Sequence, residues 1–185
     1  YYSNNIYDEM IVDSVFQAVS IGTTSGFLTS NYSNWPLFVP IMLLIAAFIG
    51  ACAGSTGGGI KVIRALILLR QGSSEITKLI HPNAVVTIKF GKKSLDPRVS
   101  ESVWGFFAVY VATFLIILMF LLSQNMDFLS AFSAVGATLN NLGPGLGIVA
   151  ENYKNISDAS KLALCMAMLL GRLELFAVLV LFFPS

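Results

Sequence analysis

The sequence is short of charge. Only 11% of its 185 residues are Asp, Glu, Lys or Arg, against ~25% in an average soluble domain. Those few are bunched: none lies between Asp13 and Lys61, between Glu101 and Asp127, or between Asp127 and Glu151. A soluble fold of this size could not cover itself with so little polar surface. The formal net charge of +1 excludes the strongly basic domain expected of a nucleic-acid binder. Cysteine is scarce too. Cys52 and Cys165 both sit in apolar runs, too sparse for a disulfide scaffold. The single histidine, His81, has no Cys or His beside it, so neither a zinc site nor a nucleophile–base pair is legible, and no cofactor is implied. The chain opens Tyr1-Tyr2-Ser3 with no initiator methionine and no signal-peptide pattern. It reads as a piece of a longer polypeptide.

What is present is apolar length. Hydrophobic residues make up 56% and mean hydropathy is +0.77. The charge-free stretches exceed the ~20 residues that cross a bilayer, so the expectation is an all-α, multi-pass membrane protein in contact with lipid. Three segments are candidates to span: about 35–70, 102–123 and 161–183. The second has the length of an ordinary spanning helix, about 33 Å. The first would be a rod of about 54 Å, and Gly54-Ser55-Thr56-Gly57-Gly58-Gly59 interrupts it with poor helix formers. It reads as a broken helix. Eight of the eleven Lys and Arg residues (Lys61, Arg64, Arg70, Lys78, Lys89, Lys92, Lys93, Arg98) fall between the glycine-rich break of the first span and the start of the second, which places segment 70–98 in the cytoplasm. Segments 1–34 and 124–160 then lie outside, where Asp8, Glu9, Asp13, Asp127, Glu151 and Asp158 outnumber Lys154 and Lys161. An acidic outer mouth concentrates cations.

The outer segments contain a repeat. One reads Asp13-Ser-Val-Phe16-Gln-Ala18-Val19, six residues, Gly26; the other Asp127-Phe-Leu-Ser-Ala-Phe132-Ser-Ala134-Val135, seven residues, Gly143. Asp is a good helix start, so each is expected to begin a short apolar helix of about three turns. Each ends in a polar, Gly-containing stretch, followed by a candidate spanning helix. Helices too short to cross must enter and return, and non-helical backbone at membrane depth is tolerated only inside protein or along a water-filled cavity. The arrangement is that of pore loops: about three spanning helices plus two re-entrant pore helices.

Such loops suit permeant cations. The C-terminal end of a half-helix carries partial negative charge, and the backbone after it can offer carbonyls in place of the ion's water shell. The candidate ion-binding carbonyls are those of Thr23, Thr24, Ser25 and Gly26, and of Asn140, Asn141, Leu142 and Gly143. Neither stretch has an acidic side chain, which favours a monovalent cation over a divalent one. Taken singly, Thr-Thr-Ser-Gly could equally be a polar re-entrant turn; its repetition argues otherwise. The glycine-rich break superficially matches a phosphate loop, but Ile60 stands where that motif requires Lys. A non-helical loop lining the inner cavity is the better reading, and Gly50-x-x-x-Gly54 also fits helix packing. Arg172, near the middle of the last span, costs at least ~2.5–3.5 kcal/mol to insert and should face a cavity or partner. Glu174 is on another helix face, so carbonyls around Gly57–Gly59 are the better candidates. A purely structural tie between helices remains open for Arg172.

These residues resemble the TrkH family, membrane subunits of bacterial Trk potassium-uptake systems within the Trk/Ktr/HKT superfamily. The resemblance rests on Ser20-Ile-Gly-Thr-Thr-Ser-Gly-Phe27, Gly54–Arg64, Leu79-Ile-His-Pro-Asn-Ala84, Ser102–Phe107, Leu139-Asn-Asn-Leu-Gly-Pro-Gly-Leu-Gly147 and Gly171-Arg-Leu-Glu174. It implies four helix–pore loop–helix repeats around one pathway. The chain would carry repeat three from its pore helix onward (1–80), a cytoplasmic connection (81–100) and a complete repeat four (101–185). Gly26 and Gly143 would be filter glycines. Gly54, Ser55, Thr56, Gly57, Gly58 and Gly59, with Arg172, would form the gate beneath them. The resemblance further implies a bacterial inner-membrane location, a homodimer, the preceding N-terminal repeats, and cytosolic RCK-type, nucleotide-binding TrkA subunits as partners. Ser25 stands where Thr is expected in many relatives, and it supplies the same carbonyl. Potassium uptake through a gated conducting subunit leads; a sodium-conducting relative or a non-conducting scaffold are the alternatives.

Overall fold

The computed structural model describes residues 2–36, 38–50, 52, 54–55, 58–81, 89–90, 93–94, 96–173. Among these the chain is helical apart from a two-residue hairpin, β1 (Lys89–Phe90) and β2 (Lys93–Ser94), paired antiparallel with Lys89 opposite Ser94. The helices are α1 (Tyr2–Gly22), α2 (Phe38–Ile49), α3 (Val62–Ile80), α4 (Pro97–Ser123), α5 (Phe128–Leu139) and α6 (Asp158–Arg172), with 3-10 turns at Tyr32–Asn34 and Gly147–Val149.

The long first apolar segment is broken where its glycines fall. Gly50, with φ of +72°, ends α2 in the left-handed conformation that terminates many helices. Gly59 (φ +87°) and Lys61 (φ +69°) reverse the chain before α3. The returning strand folds beside the end of α2, where the Ile60 amide donates to the Phe48 carbonyl at 3.0 Å. The second half runs past the expected limit at Arg70, to Ile80.

α4 is about 40 Å long, starts at an Asp96 cap with Pro97 in its first turn, and is the helix among the described residues whose length and composition alone suffice to cross a membrane. Residues 174–185 of the third expected span lie outside the described residues.

Of the two short helices expected from the repeat, α5 behaves as read. Asp127 caps it, accepting from the Ser130 amide at 3.0 Å, and it ends after 12 residues. The first does not: Asp13 lies inside α1, whose 21 residues begin at Tyr2. Nothing between Tyr2 and Val12 breaks a helix, so continuation prevails over the capping preference of Asp. Its apolar part, Met10–Gly22, is still too short to cross.

The core gathers on α5. Leu121, Ala131, Ala134, Val135, Leu139, Val149, Leu164 and Ala167 are buried between α4, α5 and α6. From α2, Phe48 enters this core edge-on to Phe114 and Tyr110 and tilted on Phe132. The Arg64 guanidinium of α3 lies 4.2 Å from the Phe106 ring centre on α4, a cation–π tie between those helices. Met10, Ile11, Val15 and Val19 on α1, and Met42, Ile45 and Ile49 on α2, remain exposed.

Candidate functional site: two matched loops and the strand between them

Both polar loops adopt one backbone conformation, related by a shift of 117 positions. At the end of α1 the Thr23 amide donates to Val19, Thr24 to Ile21, and Ser25 and Gly26 both to Ser20; after α5, Asn140 donates to Gly136, Asn141 to Thr138, and Leu142 and Gly143 both to Ala137. Left-handed residues recur in step: Thr24 (φ +58°) with Asn141 (φ +54°), and Gly26 (φ +77°) with Gly143 (φ +102°). The match corrects the register of the repeat. Val19 pairs with Gly136, not with Val135, because the three extra residues between Asp127 and Gly143 all lie earlier in the helix. A β-branched residue at positive φ is a strained outlier, so Thr24 is held where sterics alone would not put it.

These turns draw the amides inward and leave most carbonyls unused. Among the described residues, no hydrogen bond is accepted by the carbonyls of Thr23, Thr24, Ser25, Gly26, Asn140, Asn141 or Leu142. The Gly143 carbonyl accepts from the Tyr153 hydroxyl at 2.7 Å, which leaves its second lone pair.

The two loops touch. A Cβ on Gly26 would fall on the Leu142 carbonyl oxygen and come within 3.4 Å of the Pro144 ring, whereas a Cβ on Gly143 would meet nothing within 4 Å. Gly26 is therefore glycine for both contact and conformation, Gly143 for conformation alone.

Of the gate candidates, Gly54, Ser55, Gly58 and Gly59 are described, and Thr56 and Gly57 lie outside the described residues. Gly58 is buried hard against the loop after α5: a Cβ there would overlap the Asn140 carbonyl. Gly54 has open space around it. Gly171 is packed as closely: a Cβ there would overlap the Leu139 carbonyl and come within 2.8 Å of the Asn141 carboxamide. With its carboxamide oriented to satisfy both groups, Asn141 donates to the Met168 carbonyl at 3.2 Å and accepts from the Arg172 amide at 3.1 Å. Thus Arg172 sits on the turn of α6 that clasps the loop, with its side chain exposed in this chain. Glu174 lies outside the described residues.

The side chains that hold the loops are ones the sequence reading did not single out. Gln17, fully buried, donates to the Ser30 carbonyl at 2.8 Å, and Ser20 to Phe27 at 2.7 Å. In the other loop Ser133 accepts from the Leu146 amide at 2.8 Å and Ser130 from Ile148 at 3.0 Å. The signal was present: polar residues three apart on a short apolar helix, in both copies. Three tyrosines add hydroxyls from farther away. Tyr110 donates to the Asn140 side-chain oxygen at 2.7 Å, and Tyr32 to the Gly145 carbonyl at 2.8 Å. Burial pushes the Tyr32 hydroxyl up to about 12 and also raises Tyr153, to which nearby Tyr32 adds. Both stay protonated donors at neutral pH.

Comparison with known proteins bears on this arrangement. The family model TrkH, described as a cation transport protein, matches residues 6–185. The Trk system potassium uptake protein TrkH of Salmonella typhimurium is 50% identical over 185 residues, covering 98% of this chain and 38% of its own length. TrkG of Escherichia coli, of the same description, is 40% identical, covering 92% and 35%. The crystal structure of the potassium transporter TrkH from Vibrio parahaemolyticus superposes with a TM-score of 0.85 at 53% identity, over 93% of this chain and 37% of that one. The chain thus spans a little over a third of the length of these relatives.

Proposed function

The chain belongs to the TrkH family of cation transport proteins and is a membrane protein; from this premise we propose that it forms the third and fourth repeats of a subunit for potassium uptake across the bacterial inner membrane. The relatives named as potassium uptake proteins support the ion. The observation that carries the mechanism is the pair of matched loops, whose carbonyls, Gly143 excepted, accept no hydrogen bond among the described residues and which meet at Gly26 and Leu142. Backbone carbonyls of Thr23–Gly26 and Asn140–Gly143 replace part of the ion's hydration shell. The remaining ligands come from the two earlier repeats of the same polypeptide. Residues 1–80 belong to repeat three, 81–100 to a cytoplasmic connection and 101–185 to repeat four. The filter loops face outward, and the basic segment 70–98 faces the cytoplasm, where nucleotide-binding TrkA subunits dock on a homodimer.

The segment from Gly54 to Gly59 is the gate in this reading. Its support is the close seat of Gly58 on Asn140, a residue of the proposed filter. Arg172, on the turn bonded to Asn141, adds positive charge that opposes cation passage. Potassium and sodium uptake into vesicles by the full-length transporter, with its Gly26→Ser and Gly143→Ser variants, tests the assignment. Potassium-preferring flux that loses selectivity in both variants supports one shared filter. Gly26→Ser should be the more severe, since it meets a backbone carbonyl as well as an unfavourable φ. Flux indifferent to both glycines would refute it, and flux that prefers sodium would move the protein to the sodium-conducting reading.

A further inference from the structure

Gly143 has the most extreme backbone of either loop, with φ of +102°, and the least to hold it there. No atom lies within 4 Å of the space a side chain would take. Its own amide reaches the Ala137 carbonyl only at 3.5 Å, the weak end of hydrogen-bond geometry. The short bond at this residue is the one its carbonyl accepts from Tyr153, at 2.7 Å. Two residues on, the same loop is held by a second tyrosine. Tyr32, on the segment after the first loop, donates to Gly145 at 2.8 Å and approaches Pro144 at 3.4 Å. Tyr32 is itself buried, in a cluster with Ile21, Ala137, Leu142 and Leu146, so its hydroxyl is delivered by packing. In the first loop no carbonyl accepts from a tyrosine among the described residues; its hydroxyl bonds run from Ser20 to Phe27 at 2.7 Å, from Thr23 to Val19 at 2.7 Å and between Thr23 and Ser25 at 2.9 Å.

We propose that Tyr153 and Tyr32 are positioning residues for ion selectivity, a pair of hydroxyls that holds the loop 143–145 at its coordinating geometry and, through Tyr32, ties that geometry to the neighbouring repeat. The inference rests on the filter reading above. Selection between two monovalent cations depends on the number and orientation of carbonyl dipoles that face the ion. A carbonyl that gives one lone pair to a fixed hydroxyl keeps the other in a fixed direction. Without the hydroxyl, the hydrogen bond left at Gly143 among the described residues is its long amide bond to Ala137, with open space on its Cβ side.

The test is the potassium-to-sodium uptake ratio of the full-length transporter carrying Tyr153→Phe, Tyr32→Phe or both, beside Gly26→Ser and Gly143→Ser in the same vesicles, with the melting temperature of each. Each Tyr→Phe variant is expected to lower the ratio about three- to tenfold, the span of one lost hydrogen bond, while total monovalent flux persists. A lowered melting temperature with an unchanged ratio would overturn the proposal, because a purely structural hydroxyl moves only the first readout. Glycine variants that lose selectivity beside tyrosine variants that keep it would refute the bracket and leave the filter standing. Indifference of the ratio to all four substitutions would remove the filter, and the bracket with it. Because Tyr32 and Tyr153 reach the loop from different segments, either variant decides alone if the other fails to accumulate.

Discussion

Adding one methyl group at Gly58 separates a gate from a spacer. Gly58 lies outside the left-handed region, so alanine is compatible with its backbone, and the effect of Gly58→Ala is steric. The new Cβ would fall on the carbonyl of Asn140 and 2.9 Å from its Cα. The obstructing group is backbone at the end of α5, held by Asn140 and Asn141 amide bonds to Gly136 and Thr138, and it cannot swing aside as a side chain tip would. The strand must therefore move off the loop. Overpacking of this kind costs about 1–3 kcal/mol, charged here against the state in which the strand is docked. That corresponds to a shift of about 5- to 150-fold in the docked-to-undocked ratio. Potassium flux into vesicles without the cytosolic partner should rise accordingly. Gly72→Ala, outside the gate on α3, is the matched control, since it meets nothing within 4 Å, and should leave basal flux unchanged. Unaltered basal flux in a folded Gly58→Ala transporter would refute the reasoning. So would loss of selectivity without loss of gating, which would put the strain in the loop rather than in the strand.

Other positions give independent checks. Gly171→Ala drives a methyl group into the Leu139 carbonyl and the Asn141 amide, so it should destabilise the α5–α6 contact by about 1–3 kcal/mol in thermal unfolding in detergent; Gly72→Ala, in open space on α3, should be neutral or stabilising. Asp127→Ala removes the α5 cap and should cost about 0.5–2 kcal/mol in the same assay. The Ser130 hydroxyl and amide hold the Asp127 carboxyl below its ordinary value, so its contribution is complete above the ordinary carboxylate range and is lost as pH falls through the depressed value. Tyr32 works in the opposite direction: with its hydroxyl raised by burial to about 12, stability is full below the ordinary tyrosine value and declines from about pH 10 to about pH 12. Tyr32→Phe should flatten that alkaline slope.

Much of the architecture is legible one segment at a time. The break in the first apolar stretch follows from its run of glycines, the start of α5 from Asp127, and α4 from the apolar run 102–123, although the helix begins five residues earlier, at Pro97. The repeat was legible too, but its register was not. Ala-Val in both copies invites an alignment that the backbone hydrogen bonds displace by one residue. Asp13 misled for a related reason: a capping residue marks a helix start only where the preceding chain is not already helical.

The candidate site was half legible. The loop glycines announce positive φ, and both Gly26 and Gly143 adopt it. The sequence alone could not say that Gly26 abuts Leu142, that Gly58 abuts Asn140, or that Tyr32 reaches Gly145. Each contact joins residues more than eighty positions apart, and spacing carries no information at that range. What the sequence by itself determined is which segments are apolar, where they must stop being helical, and which loops can bend sharply; these depend on residues within a few positions of one another. Only the tertiary structure decided which loop presses on which. That depends on how α2, α5 and α6 pack around Phe48 and Asn141, and close packing is a property of the assembled surfaces.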